Sequence, residues 1–98
     1  MKKFKDSLIE RLKDRDYASK YLSVALEEYE KDDNNEAFLV ALRDVVEAQG
    51  GMSAISRRTS LNRSNLYAQL SEKGNPSFKT VDCILNKIGF KISISPQI

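Results

Sequence analysis

MSAISRRTSLNRSNLYAQLSEKG, residues 52–74, holds two short apolar-periodic segments around the turn-prone run Ser60-Leu61-Asn62. In the first, Met52, Ile55 and Thr59 lie three and four apart and share one side of a short helix. In the second, Leu66 and Leu70 repeat that spacing, and Asn62 is suited to cap a helix that begins at Arg63. Leu61 would plug the angle between them. This is the pattern of a helix-turn-helix, whose second helix lies in the DNA major groove. Arg63, Ser64, Tyr67 and Ala68 point away from the two leucines and offer hydrogen-bonding, aromatic and small surface. A bare helical hairpin has the same apolar spacing, so periodicity alone leaves both readings open.

The 98 residues suffice for one domain with a modest core. Hydrophobic residues at 41% and charged residues at 31% suit a folded globular chain rather than a disordered one. No apolar run approaches the roughly 18 residues of a membrane span, and the Lys-rich N-terminus lacks an apolar signal-peptide core. The single cysteine, Cys83, cannot form an internal disulfide, which points to a reducing cytoplasm. It reads as a small core residue rather than a redox switch. There is no histidine. Histidine metal sites and histidine-based triads are therefore excluded, and one cysteine cannot hold zinc, so neither metal nor cofactor is expected. With no glycine-rich phosphate loop and no inward carboxylate pair, an enzyme is not expected either.

Formal charge divides unevenly along the chain. Residues 1–16 hold six basic and four acidic side chains, residues 17–49 three and eight, and residues 50–98 seven and two. The segments thus carry +2, −5 and +5. A basic half containing the two short helices is the electrostatic footprint of a DNA-binding surface, and the acidic segment should face away from phosphate. The plainer alternative is that both are solvated faces.

Upstream, Phe4, Leu8, Ile9 and Leu12 predict a short amphipathic helix within residues 1–15. Asp16 is placed to cap a second helix with Tyr17, Tyr21, Leu22, Ala25, Leu26 and Tyr29 on its stripe. Its tyrosines suit a core edge or a protein contact. Asp33 or Asn34 can cap a third helix that runs to about Gln49 and buries Phe38, Leu39, Leu42, Val45 and Val46, with Gly50-Gly51 to end it. Downstream of the central pair, Gly74 and Pro76 forbid a continued helix. Ser77 can cap a last helix with Val81, Ile84, Leu85 and Ile88 inward, stopped by Gly89. Residues 90–95 then alternate with period two, the pattern of a strand. A lone strand needs a partner, so Phe90, Ile92 and Ile94 are expected to pair with a second copy in a twofold dimer, or else to pack along their own domain.

With these residues in view, the chain resembles the small antidote proteins of addiction modules that carry a Cro/repressor-type (Xre-like) helix-turn-helix. The resemblance rests on Gly51 to Leu61, Arg63, Leu66-Tyr67, Leu70-Ser71, Gly74-Asn75-Pro76, Phe78, Thr80 and Ile88-Gly89, and covers residues 37–92. It departs from that pattern at Ser56, usually alanine, and at Ser60, usually a turn glycine, which bears on turn geometry. The resemblance implies an all-α fold, with a five-helix Cro/repressor-like DNA-binding domain, N-terminal helices and a short C-terminal β-strand. On this reading residues 1–36 form an N-terminal helical segment that binds the toxin. Residues 37–98 form the DNA-binding and dimerising domain. The implied protein is a cytoplasmic antitoxin that neutralises a small ribonuclease-like toxin and represses its own promoter. The alternative is a stand-alone phage-type repressor, against which the acidic, Tyr-bearing N-terminal segment counts.

Within that reading Asn62, Arg63, Ser64, Tyr67 and Ala68 are candidate base contacts, with the fork of Arg63 matched to guanine O6 and N7. Arg57, Arg58, Lys73, Asn75 and the backbone amides of Met52 and Ser53 are candidate phosphate contacts. Tyr17, Tyr21, Glu27, Glu28 and Tyr29 are candidate toxin contacts, since a surface that holds RNA is basic and favours an acidic, aromatic inhibitor.

Overall fold

The structure is a computed structural model that describes residues 2–33, 35–58, 62–71 and 74–97. Six helices run in order: α1 (Lys2–Arg11), α2 (Arg15–Asp32), α3 (Asn35–Ala48), α4 (Gly51–Arg58), α5 (Arg63–Gln69) and α6 (Phe78–Lys87). The all-α expectation holds. The five-helix domain does not: among the described residues only four helices, α3 to α6, follow the N-terminal pair.

α3 lies at the centre because it carries apolar residues on more than one side. It buries Leu39, Ala41, Leu42, Val45 and Val46 and touches α1, α2 and α4. α4 then packs on α5 and α6. One core joins all of them. Leu12, Ala18 and Leu22 enter it from the N-terminal end, Met52 and Ile55 from α4, Leu66 and Leu70 from α5, and Ile84, Leu85 and Ile88 from α6. Residues of both expected spans, 1–36 and 37–98, therefore share one apolar interior.

Local chemistry sets the helix ends. Asn62 Oδ1 accepts from the Asn65 amide at 3.0 Å and Ser77 Oγ from the Thr80 amide at 3.1 Å, both as expected of N-caps. α2 differs: Asp14, not Asp16, caps it, accepting from the Tyr17 amide at 3.1 Å. α1 stops at Arg11, which puts Asp14 in the extended conformation a cap requires and Asp16 inside the first turn. Asp33 ends α2 instead of starting α3; its φ is 58° and its N–H donates to the Tyr29 carbonyl at 2.7 Å. Asp tolerates that left-handed turn better than most side chains do. Asn34, Thr59, Ser60 and Leu61, to which capping, turn and plug roles fall, lie outside the described residues.

The C-terminal strand is a second correction. Among the described residues there is no strand, and the segment after Gly89 is irregular. One chain offers that segment no second strand, so the alternating pattern finds no ladder to join. Its first residue is used otherwise. The Gly89 amide donates to Asn86 O at 3.0 Å and the Phe90 amide to Leu85 O at 2.8 Å, closing α6 in a Schellman turn. Gly89 sits at φ +91°. Arg15, from the start of α2, donates to Gly89 O at 2.6 Å and lies 5.4 Å over the Phe90 ring. Phe90 therefore packs on the core, while Ile92 and Ile94 remain exposed.

Candidate nucleic-acid interface and the exposed faces of α2

α4 and α5 are seated from below by Met52, Ile55, Leu66 and Leu70, all buried. Because α5 buries two residues four apart, its opposite side must point out. Ser64, Tyr67 and Ala68 are exposed there, as expected, and so is Asn65. Asn65 was missed. It lies three residues before Ala68, hence on the same outward face, and its free amide could pair with adenine N6 and N7. Asn62 is exposed, and its side-chain oxygen is engaged at the cap while its NH2 group stays available to a ligand. The side chains of Arg58 and Arg63, and the whole of Lys73, lie outside the described residues.

The described candidate phosphate contacts lie at both ends of α4 and in the loop after α5. Met52 is buried and Ser53 partly so, at the first turn of α4, while Arg57 and Asn75 are exposed. Gly74 connects α5 to the following loop by close approach. Its N–H donates to Ser71 O at 2.9 Å, and a Cβ there would overlap the Gln69 and Ala68 carbonyl oxygens. That contact brings Asn75 next to the C-terminal end of α5.

α2 presents two different exposed sides. By helical spacing Tyr17, Tyr21, Val24 and Glu28 fall on one side, and Ser19, Ser23, Leu26 and Glu30 on another. The five candidate toxin contacts are thus divided: Tyr17, Tyr21 and Glu28 stay together, and Tyr29 turns toward Leu26. Tyr17, Val24, Glu27, Glu28 and Tyr29 are exposed, and Tyr21 is half-buried against the core. Beneath the Tyr17–Tyr21 side lies Asp44 of α3, the one charged residue buried among the described residues, 7% exposed. Burial raises its carboxyl's pKa, with Glu47 adding to the rise and Lys5 and Arg43 opposing it. Burial likewise raises Tyr21, and the nearby Asp44 charge and then Tyr17 raise it further.

Among the described residues no cluster of side chains could hold a metal ion, and no helix is long and apolar enough to cross a membrane. A family model described as "Probable addiction module antidote protein" matches residues 1–96. A protein of Haemophilus influenzae strain Rd, described as "Uncharacterized protein", is 35% identical over 92 residues, covering 89% of this chain and 94% of that relative. No solved structure matches the chain.

Proposed function

As the chain belongs to the family of probable addiction module antidote proteins, we propose that it is a cytoplasmic type II antitoxin that also represses its own promoter, α4 and α5 forming a helix-turn-helix. The toxin it neutralises is a ribonuclease-like protein held on the N-terminal helices. The observation that carries the DNA half is the outward face of α5. Ser64, Asn65, Tyr67 and Ala68 stand exposed on a helix anchored by buried Leu66 and Leu70, within the +5 half of the chain. The toxin half rests on α2, which leaves Tyr17 and Val24 exposed in the −5 segment, more apolar surface than a minimal repressor needs. Each copy carries one α5, and successive major grooves on one side of DNA are about 34 Å apart, so one copy reads one half-site and an inverted repeat takes two.

A gel-shift titration against the chain's own promoter and random DNA tests this. Binding should weaken steeply with salt, each neutralised phosphate adding about −0.9 to the log–log slope. Arg63→Ala should lower promoter binding by about 1–3 kcal/mol and leave random-DNA binding nearly unchanged, whereas Arg57→Ala should lower both alike. Equal loss on both DNAs for Arg63→Ala would remove it as a base reader.

A further inference from the structure

Asp44 of α3 is only 7% exposed, yet among the described residues no hydrogen bond or ion pair reaches its carboxylate. A charge covered in this way and left without a partner is costly, and folded proteins seldom keep one. The carboxylate is not sealed in, however. Among the described residues Gln69 Oε1 is the one side-chain polar atom that is both fully covered and without a hydrogen-bond partner. The oxygens of Asp44 therefore still reach the surface, while the rest of the residue is packed.

The groups around it come from three helices. α1 brings Lys5, but that ammonium lies 3.7 Å from Glu47, one turn on from Asp44, and both are exposed. α2 brings Tyr21, half-buried against the core and close enough to feel the Asp44 charge. α3 itself brings Arg43, which as the preceding residue points about 100° away round the helix. Burial raises the Asp44 pKa although Lys5 and Arg43 both oppose it, so the two cations do not make up for lost water. What the carboxylate lacks is a positive group at the opening. Tyr17, Tyr21 and Val24 stand along that side of α2 at spacings of four and three, and Tyr17 and Val24 are exposed. Arginine fits such a place better than lysine. Its guanidinium is weakly hydrated, pairs with a carboxylate through two parallel hydrogen bonds and stacks on tyrosine.

We propose, resting on the toxin reading above, that Asp44 receives one arginine of the toxin beside Tyr21, in the seam where α1 and α2 both lie on α3. A toxin that holds RNA has basic side chains to offer, whereas the phosphates of DNA would be repelled here. The arginine supplies the charge that Asp44 lacks in the free chain. A buried charge that weakens the antitoxin alone thus serves recognition in the complex, and a partner without that arginine would leave it unpaired.

Titration calorimetry of the full chain with the ribonuclease-like toxin of its own module is the test. Asp44→Asn should bind the toxin roughly thirtyfold or more weakly, since the arginine is then covered without a counter-charge. Its helicity and promoter binding should stay at the parent's values, which a merely structural role for Asp44 would not allow. Lys5→Met should leave toxin binding unchanged or tighter, because it removes a cation that competes for the same carboxylate. Each arginine of the toxin is then changed to methionine and paired with Asp44→Asn, and one of them should show coupling of about tenfold or more. Equal binding by the parent and Asp44→Asn overturns the inference and leaves the toxin reading standing. So does a set of toxin variants in which no arginine couples to Asp44. A Lys5→Met variant that loses as much binding as Asp44→Asn overturns it too, making Asp44 a prop for α1. If Asp44→Asn alters the chain's own sedimentation and not its toxin affinity, the carboxylate belongs to a second copy and the inference fails. A parent that does not bind the toxin overturns the toxin reading and this inference together.

Discussion

The α4–α5 side and the α2 side of this molecule expose opposite kinds of surface from the same core. α5 buries its leucines completely and shows water the small groups of Ser64, Asn65 and Ala68 beside Tyr67. α2 buries Ala18 and Leu22 but leaves Tyr17, Val24, Leu26 and Tyr29 wet. A face that meets phosphates and base edges profits from hydrogen-bonding groups that do not mind hydration. A face that meets protein profits from aromatic and aliphatic area whose hydration is unfavourable until it is covered. The contrast supports the proposed division, with nucleic acid on one side and the protein partner on the other, before any charge is counted.

The largest expected effect tests whether the two sides are one unit. Leu12 is fully buried in the core that also holds Ile55 and Leu66. Leu12→Ala should cost about 2–5 kcal/mol in urea unfolding, as a single transition that removes promoter binding with it. A variant that keeps a folded, DNA-binding half while α1 and α2 melt would break the comparison into two domains. The same core makes deletion of residues 1–34 a poor test of toxin contact, because Leu12, Ala18 and Leu22 leave with it.

Next comes the clamp between the ends of the chain. At Gly89 the backbone is left-handed, and a Cβ there would run into the Arg15 guanidinium. Gly89→Ala should therefore destabilise by about 1–3 kcal/mol. In an Arg15→Ala background the steric part disappears and only the φ part remains, so the cost should shrink. An unchanged cost in that double-mutant cycle would show that the contact carries no energy.

How far these features were legible depended on whether the cause was local. Asn62, Ser77 and Gly89 act within one turn of sequence, and their roles were readable from residue type and spacing alone. So was the buried stripe of α3, which runs from Phe38 to Val46. The cap of α2 was not, because Asp14 and Asp16 are equally good caps and the choice follows from where α1 ends. The tail was misread for a different reason: alternation signals a strand only if a ladder exists, and that depends on a partner. Arg15 over Phe90 joins positions 75 apart, a contact no periodicity announces. At the site, Asn65 lies at the edge of the outward face, one residue before the buried Leu66, although its spacing from Ala68 contained the signal.

A smaller effect separates the two surfaces directly. Asn65→Ala should weaken promoter binding by roughly 1–2 kcal/mol, the worth of a good base contact, and leave rescue from the toxin intact. Tyr17→Ser should do the reverse, weakening rescue in a growth assay while the gel shift stays at the parent's value. If either variant loses both activities without losing helicity, the division between the faces is wrong.

The smallest effect concerns what lies beneath them. No charge is buried under α5 among the described residues, whereas the Tyr17–Tyr21 side of α2 sits over Asp44. Burial raises the Asp44 pKa, so the folded protein holds this proton more tightly than the unfolded chain does. Stability should then fall as pH climbs from the ordinary carboxylate range through the raised value, and level off above it. Near neutrality the carboxylate is ionised and carries its burial penalty. Asn has nearly the same shape and no charge. Asp44→Asn should accordingly be more stable than the parent near neutral pH, by less than the changes above, and the advantage should fade as pH drops below the Asp44 pKa. Urea unfolding of both proteins across that range reads the difference. A variant less stable than the parent at neutral pH would mean that Lys5 and Arg43 hold the carboxylate more strongly than burial penalises it. The charge under α2 would then be a fastening between α1 and α3, and not a burden that the partner-facing side tolerates.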